Sequence, residues 1–442
     1  MRVVDPPKNH PVSLQEDRAR YIPRMDVETK PEFAASAAER FLALLARMLH
    51  EAGTPAHRLE GLLQNCAERL GTRLSVFSLP TWINLAFGDE GRQRIVSFRV
   101  EPGSPKLAML EETFLVADRV ARGEFDAEQG ITALSRVQAR LQRPTPALHC
   151  LGYALFSSGA AFFLGGSWIE MLAALPIGLV VGGSVTLAAG RRERELLADF
   201  AAAVIGTVFA GLVVVLLRMS GLEPSASVVA LAGLVTLLPG LSLATAMTEL
   251  STRNLASGSA RLIGAITTLV VVGMGAGIGE RAADALGLPQ HSHVVASVTQ
   301  TAELSIKLLV ALLSIASGLA IVFQSRPRRA ALVLVSCIAG WVAVRTAREF
   351  SGAELAPVLA AASVGMLGNL YARVRRRPTL AIVLPGLALL LPGSLGFRGM
   401  QGLLTSDTMA GLNTAVSALV VAASIAAGLL IANALLPSPR QV

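Results

Sequence analysis

Charged side chains are scarce in this chain. Asp, Glu, Lys and Arg together make up 16% of its 442 residues, and aromatics only 5%. With 52% hydrophobic residues and a mean hydropathy of +0.56, the composition excludes an ordinary soluble protein and points to a lipid bilayer as the main surrounding. Cysteine is nearly missing as well. Cys66, Cys150 and Cys337 lie far apart, with no C-x-x-C pair and no histidine at ligand spacing, so neither a disulfide framework nor a metal site is expected. There is no Walker motif, so ATP is not the expected driver, and no cofactor is called for. Also missing are a nucleophile elbow, a Ser-His-Asp arrangement and a glycine loop to cradle phosphate. No apolar stretch follows the first charges, so no cleaved signal peptide is expected.

Long apolar runs begin only near Ala147, and charge divides the chain at the same place. Residues 1–144 hold 20 of the 39 basic and 19 of the 31 acidic residues, which leaves nearly all of the net +8 in the apolar part. Those arginines sit in short gaps between apolar runs. The positive-inside rule accounts for them better than nucleic acid does, and no nucleic-acid partner is expected. Residues 1–32 are rich in proline and charge without periodicity and are expected to be a disordered tail. Residues 33–144 read as a small cytosolic α+β domain. A helix with an apolar stripe (Phe41, Leu42, Leu45, Leu49) ends at Gly53, and a second runs from Pro55 to Leu70. Strand-like runs follow around Leu74, at Trp82–Phe87 and at Ile95–Val100, then two amphipathic helices near 104–123 and 126–141. His57 and Glu60, three apart on one helix face, are the nearest thing to a catalytic pair there. Such a pair is more often simply a solvated helix face.

Ten apolar segments of spanning length follow, at about 147–165, 168–190, 196–217, 225–250, 258–279, 303–324, 330–349, 354–372, 379–397 and 408–435. With the N-terminal domain inside, the inner gaps and C-terminus carry thirteen arginines against six basic residues outside, which supports that orientation. One phrase occurs twice. Leu237-Leu238-Pro239-Gly240 runs on to Met247, and Leu390-Leu391-Pro392-Gly393 runs on to Met400, both at an offset of 153. Proline removes a backbone donor and crowds the preceding turn. Hydrocarbon tolerates the freed backbone groups only where protein or a wet cavity satisfies them. The phrases fall in segments four and nine, the fourth of each group of five. Five is odd, so a duplicated unit crosses in opposite senses, and two inverted five-helix repeats (145–282 and 283–442) are expected to build one site between them. Read blandly, each Pro-Gly is a packing kink. Ionisable groups at membrane depth are few: Asp199, Glu249, Glu303 with Lys307, and Asp407. A buried carboxylate marks an ion path, or it caps a helix at the interface. Glycine ridges (Gly178, Gly182, Gly183; Gly273, Gly275, Gly277, Gly279) promise close helix packing or a moving interface.

With these residues in hand, the chain resembles the threonine/serine exporter family of bacterial inner-membrane transporters. The resemblance rests on Glu51-Ala52-Gly53, Arg58-Leu59-Glu60, Leu70-Gly71, Pro80-Thr81 and Arg99-Val100, and in the membrane part on both Pro-Gly pairs and Ser257-Gly258. It covers about 33–435. It implies a multi-pass cytoplasmic-membrane exporter of small polar amino acids with a cytosolic N-terminus. The proton gradient is the natural driver. Pro239, Gly240, Ser242, Thr245, Pro392, Gly393 and Ser394 are the expected substrate contacts, and Glu249, Asp199 or Glu303 the proton carrier. Relatives of the same fold look like dicarboxylate exporters, which keeps that substrate class open; a homo-oligomer is left open as well. The rivals are a membrane-anchored enzyme with 33–144 as a hydrolase-like domain, and a passive channel.

Overall fold

A computed structural model describes residues 35–89, 91–101, 105–141, 144–188, 195–288, 305–390, 392–404 and 408–438. The expected tail (1–32), Glu303 and Asp407 lie outside the described residues. Ala37–Val442 forms one compact unit.

The α+β part follows from local chemistry. Helix α1 (Ala37–Glu51) buries Phe41, Leu42, Leu45 and Leu49, one stripe at helical spacing. Gly53 then adopts φ +81, the left-handed conformation that ends a helix, and Thr54 N–H donates back to Leu49 O at 3.1 Å. Extended Pro55 opens α2 (Ala56–Arg69). Strands β1 (Leu74–Leu79), β2 (Trp82–Phe87) and β3 (Arg94–Arg99) form an antiparallel sheet in the order β1-β2-β3, with Phe77 opposite Asn84 and Asn84 opposite Ser97. Alternation along β2 puts Ile83, Leu85 and Phe87 in the core. Helices α3 (Leu107–Ala121) and α4 (Ala127–Arg140) complete the layer. Asp126 and Gln129 form a reciprocal capping box at the start of α4.

Thr145 caps α5 (Pro146–Phe163), with proline in its first turn. Then come α6 (Trp168–Ala188), α7 (Glu195–Met219), α8 (Ala226–Leu234), α9 (Gly240–Ser251), α10 (Leu255–Ala285), α11 (Ile306–Val322), α12 (Ala330–Arg375), α13 (Leu380–Leu387), α14 (Gly393–Leu404) and α15 (Thr408–Leu435). Among the described residues, five helices are long and apolar enough to cross a membrane: α6, α7, α10, α12 with the turn before it, and α15. The pair α8–α9, bent by 53°, makes a sixth if counted as one span.

Each of the ten expected segments carries helix. However, α5 and α11, in segments one and six, are not among the helices long and apolar enough to cross by themselves, and there are two further departures. Segments seven and eight run on as α12, interrupted only at Gly352 (φ 76, ψ 177), a conformation open essentially to glycine alone. Segments four and nine are each two helices, not one. Glycine does bring backbones together. A Cβ on Gly178 would lie 2.7 Å from Ala154 Cα, and one on Gly275 would lie 2.7 Å from Phe200 O. Gly183 and Gly277, from the same ridges, have nothing within 4 Å.

Candidate functional site

The two Pro-Gly phrases meet in space. α8 ends in a 3-10 turn (Val235–Leu237), Leu238 is extended, and α9 restarts at Gly240. The Gly240 N–H turns back to Leu238 O at 2.8 Å, and the helix's own bonding begins only with Leu243 N–H on Pro239 O. First-turn amides have no partner inside their own helix. In the second half α13 stops at Leu387 and α14 restarts at Gly393, where Gly396 N–H donates to Pro392 O at 2.8 Å. A Cβ on Gly393 would lie 3.1 Å from both Gly240 N and Leu238 Cβ. The start of α14 therefore rests against the start of α9, and two positive helix ends converge on one spot.

Around this spot Ser242, Thr245 and Ser394 are half-buried, and their hydroxyls make no hydrogen bond among the described residues. Thr236 Oγ1 in the turn before the break is buried without a partner. Little in the sequence distinguishes Thr236. Its only signal is its place three residues before Pro239.

Glu249 occupies a different place. Its residue is wholly buried, and its carboxylate accepts four hydrogen-bond donors. Arg261 donates through Nε to Oε2 and through Nη2 to Oε1, both at 3.2 Å. Ser257 Oγ donates at 2.9 Å, and the backbone N–H of Ala56, in the first turn of α2, donates at 3.0 Å. Two residues on, Arg58 Nη1 donates to Thr379 Oγ1 at 2.9 Å, at the start of α13. The stretch Ala56–Arg58 thus touches the far end of α9 and the near end of α13 together. A second contact joins α3 to the turn after α11, where Leu107 N–H donates to Phe323 O at 2.8 Å. Glu112 pairs there with Arg326 at 2.8 Å, and Glu111 faces Arg329 and Arg377 at 3.5 and 3.9 Å.

His57 and Glu60 do not act as a pair. Glu60 accepts the Ser78 N–H at 3.0 Å, while His57 lies beside Arg58 and Glu249 with Nδ1 buried and unpartnered. Burial, with Arg58 adding and Glu249 opposing, takes the His57 pKa from 6.5 to about 4. Burial also lowers Arg58 to about 10. A histidine held neutral supports folding fully above its unfolded pKa, and that support is lost on acidification. Between about pH 6.5 and 4 the unfolded chain takes up a proton that the folded one refuses, worth up to about 3 kcal/mol. The thermal midpoint of the detergent-solubilised protein should therefore fall across that window, and His57→Gln, which cannot charge, should flatten the fall. A fall of equal size in the variant would remove His57 from the account.

Asp199 is half-buried in the first turns of α7, with no hydrogen-bond or ion-pair partner among the described residues. Among the described residues no group of three metal-ligating side chains comes together. The sequence singled out Glu249 but neither Arg261 nor Thr379. Arg58 stood out only as part of a short family pattern.

These features define a polytopic helical membrane protein with an α+β region docked on one end and two broken helices that meet at their breaks. The chain belongs to the threonine/serine exporter family, ThrE. One family model matches residues 40–282, and a second, described as "Threonine/Serine exporter, ThrE", matches 298–435. A threonine/serine exporter of Corynebacterium glutamicum is 27% identical over 297 residues, which cover 64% of this chain and 57% of that protein. Pheromone-regulated membrane protein 10 of Debaryomyces hansenii is 25% identical over 402 residues, covering 85% of this chain and 38% of the relative. Its namesake in Saccharomyces cerevisiae is 23% identical over 396 residues, covering 86% and 49%. The chain spans about half the length of these curated relatives, or less. No solved structure matches it.

Proposed function

We propose that the protein is a secondary active exporter of threonine and serine across the cytoplasmic membrane, with the α+β region on the cytosolic side. The observation that carries this reading is the contact between Gly240 and Gly393, which brings the N-termini of α9 and α14 together. Each helix start contributes about half a positive charge and unpaired N–H groups, so a carboxylate placed between them gains up to about 2 kcal/mol from each end. In this reading the substrate carboxylate sits at the junction of the two breaks. Ser242, Thr245, Ser394 and Thr236 bond its hydroxyl and ammonium groups. Pro239 and Pro392 keep the amides of the breaks open.

The same contacts support ten crossings in two inverted groups of five. In the first group α8 and α9 share one crossing. In the second, α12 makes two crossings around Gly352, and α13 and α14 share one. α9 runs from the breaks toward the α+β region, while α13 runs from that region toward the breaks. α14, the counterpart of α9, continues away from the α+β region, with Met400 beside Gly273 and Gln401 donating to Glu280 near the far end of α10. Such opposite travel of corresponding pieces is what an inverted repeat requires. Proton coupling falls best to Asp199. Its carboxylate has no partner to hold it ionised, whereas Glu249 is locked by four donors.

Purified protein in proteoliposomes tests this reading. Labelled threonine and serine should cross the membrane in response to an imposed pH gradient, and an uncoupler should abolish the response. Movement of dicarboxylates but not of threonine would overturn the substrate. Flux indifferent to the uncoupler would leave a passive channel.

A further inference from the structure

The contact between the α+β region and the membrane part lies where a gate would have to be. α9 and α13 are the halves of the broken helices that extend from the proposed site toward the cytosolic side. Their ends on that side are joined by three consecutive residues of α2: Ala56 through its N–H to Glu249, and Arg58 through its guanidinium to Thr379. Glu249 lies 193 residues along the chain from Ala56, and Thr379 lies 321 from Arg58, so the strap joins parts far apart in the sequence. A strap across both ends closes the path between them.

The chemistry of the contact also differs from that of a permanent anchor. At the α3 contact, backbone bonds to Phe323 and Gln324 are reinforced by the ion pair of Glu112 with Arg326. Under the α2 contact His57 Nδ1 and Thr54 Oγ1 are buried with no hydrogen-bond partner, two such groups within four residues, whereas α3 buries one, Thr113 Oγ1. Each unsatisfied group carries a desolvation penalty that is relieved when water enters. Such a contact is closed but poised to open, while the α3 contact holds the domain in place as it does so. Alternating access requires an element of this kind, with two arrangements close in free energy.

We propose that the Ala56–Arg58 turn is the intracellular gate of the exporter, a strap that must release α9 or α13 in every transport cycle, with Arg58 as its positioning residue. The inference rests on the transport reading above.

The test uses the full chain in proteoliposomes. Arg58→Cys and Thr379→Cys are combined with replacement of the three native cysteines, and a short, reducible bifunctional thiol reagent bridges the distance the guanidinium spans. Cross-linked vesicles should keep less than a tenth of the threonine flux, and reductant should return it to the level of the uncross-linked variant. Measurable flux that is equal before and after reduction would overturn the gate. A second measurement needs no substitution and decides the matter if the double variant is inactive when reduced. Amide exchange in residues 56–60 of the unmodified protein should quicken at least threefold when threonine is saturating, and unchanged exchange would overturn the proposal. Unmodified vesicles that neither bind nor move threonine would instead overturn the transport reading, so the two failures stay distinct.

Discussion

Replacing Glu249 with alanine should destabilise the folded protein by about 3–5 kcal/mol, one of the two largest losses expected from a single change. The carboxylate is wholly buried, and its partner Arg261 has only 18% of its side chain exposed. Removing the acid leaves that cation without its bidentate acceptor and orphans the Ser257 hydroxyl and the Ala56 N–H. An uncompensated buried charge costs more than the pair contributes, because both ions were already taken out of water. Two companions separate the terms. Glu249→Gln keeps an oxygen for Ala56 but loses the charge, and should fall between the alanine variant and the unmodified protein. Glu249→Ala with Arg261→Leu removes the stranded cation and should regain most of the loss. Thermal unfolding in detergent measures all three. An alanine variant as stable as the parent would mean that the four donors do not hold the junction together.

Gly340→Ala should be as damaging for a different reason. A Cβ at this position would lie 2.0 Å from Gly386 O and 3.0 Å from Gly386 C, both backbone atoms of α13. No side chain can rotate away, so α12 and α13 must separate. Overpacking costs about 1–3 kcal/mol in ordinary cores and more where the backbone has to move, so a loss of 3 kcal/mol or more is expected here. Folded yield and monodispersity on size-exclusion chromatography should drop sharply. Gly277→Ala is the control. Nothing lies within 4 Å of that position, and alanine is the better helix former by about 1 kcal/mol, so this variant should be neutral or slightly more stable. If the two substitutions behave alike, the backbone contact at Gly340 is not what holds α12 to α13.

Those two glycines show where sequence reading stops. Periodicity made α1 and α2 legible, and alternation made β2 legible. These are local signals carried within one element. The offset of 153 between the Pro-Gly phrases is a longer-range signal, and it pointed to the two chain breaks that touch. Close approach is different. Gly275 and Gly277, two apart, stand on nearly opposite faces of α10, and only Gly275 meets α7; the sequence separates the two faces without saying which one packs. The junction at Glu249 was half legible. A carboxylate in an apolar stretch is conspicuous, but its partners come from α2 and α10, and no spacing rule connects residue 56 to residue 249. Thr379 carries no signal at all, and Arg58 is marked only by the short Arg58-Leu59-Glu60 pattern, which says nothing of its partner until the two are placed opposite each other.

The central claim is that the two Pro-Gly breaks form one substrate site. Calorimetric titration of threonine into purified, monodisperse protein tests it most directly, with Pro239→Ala, Pro392→Ala and the double variant beside the parent. Alanine is the better helix former by about 3 kcal/mol in a helix interior, so it should let each break close up without unfolding the protein. The exposed amides that hold the carboxylate would then be lost. Affinity should fall in both single variants, although the residues belong to opposite halves of the chain. The double variant should lose less than the sum of the two, because both changes act on one bound molecule. Unchanged affinity in both single variants, with only stability or yield altered, would contradict the account and leave the paired phrases as packing kinks.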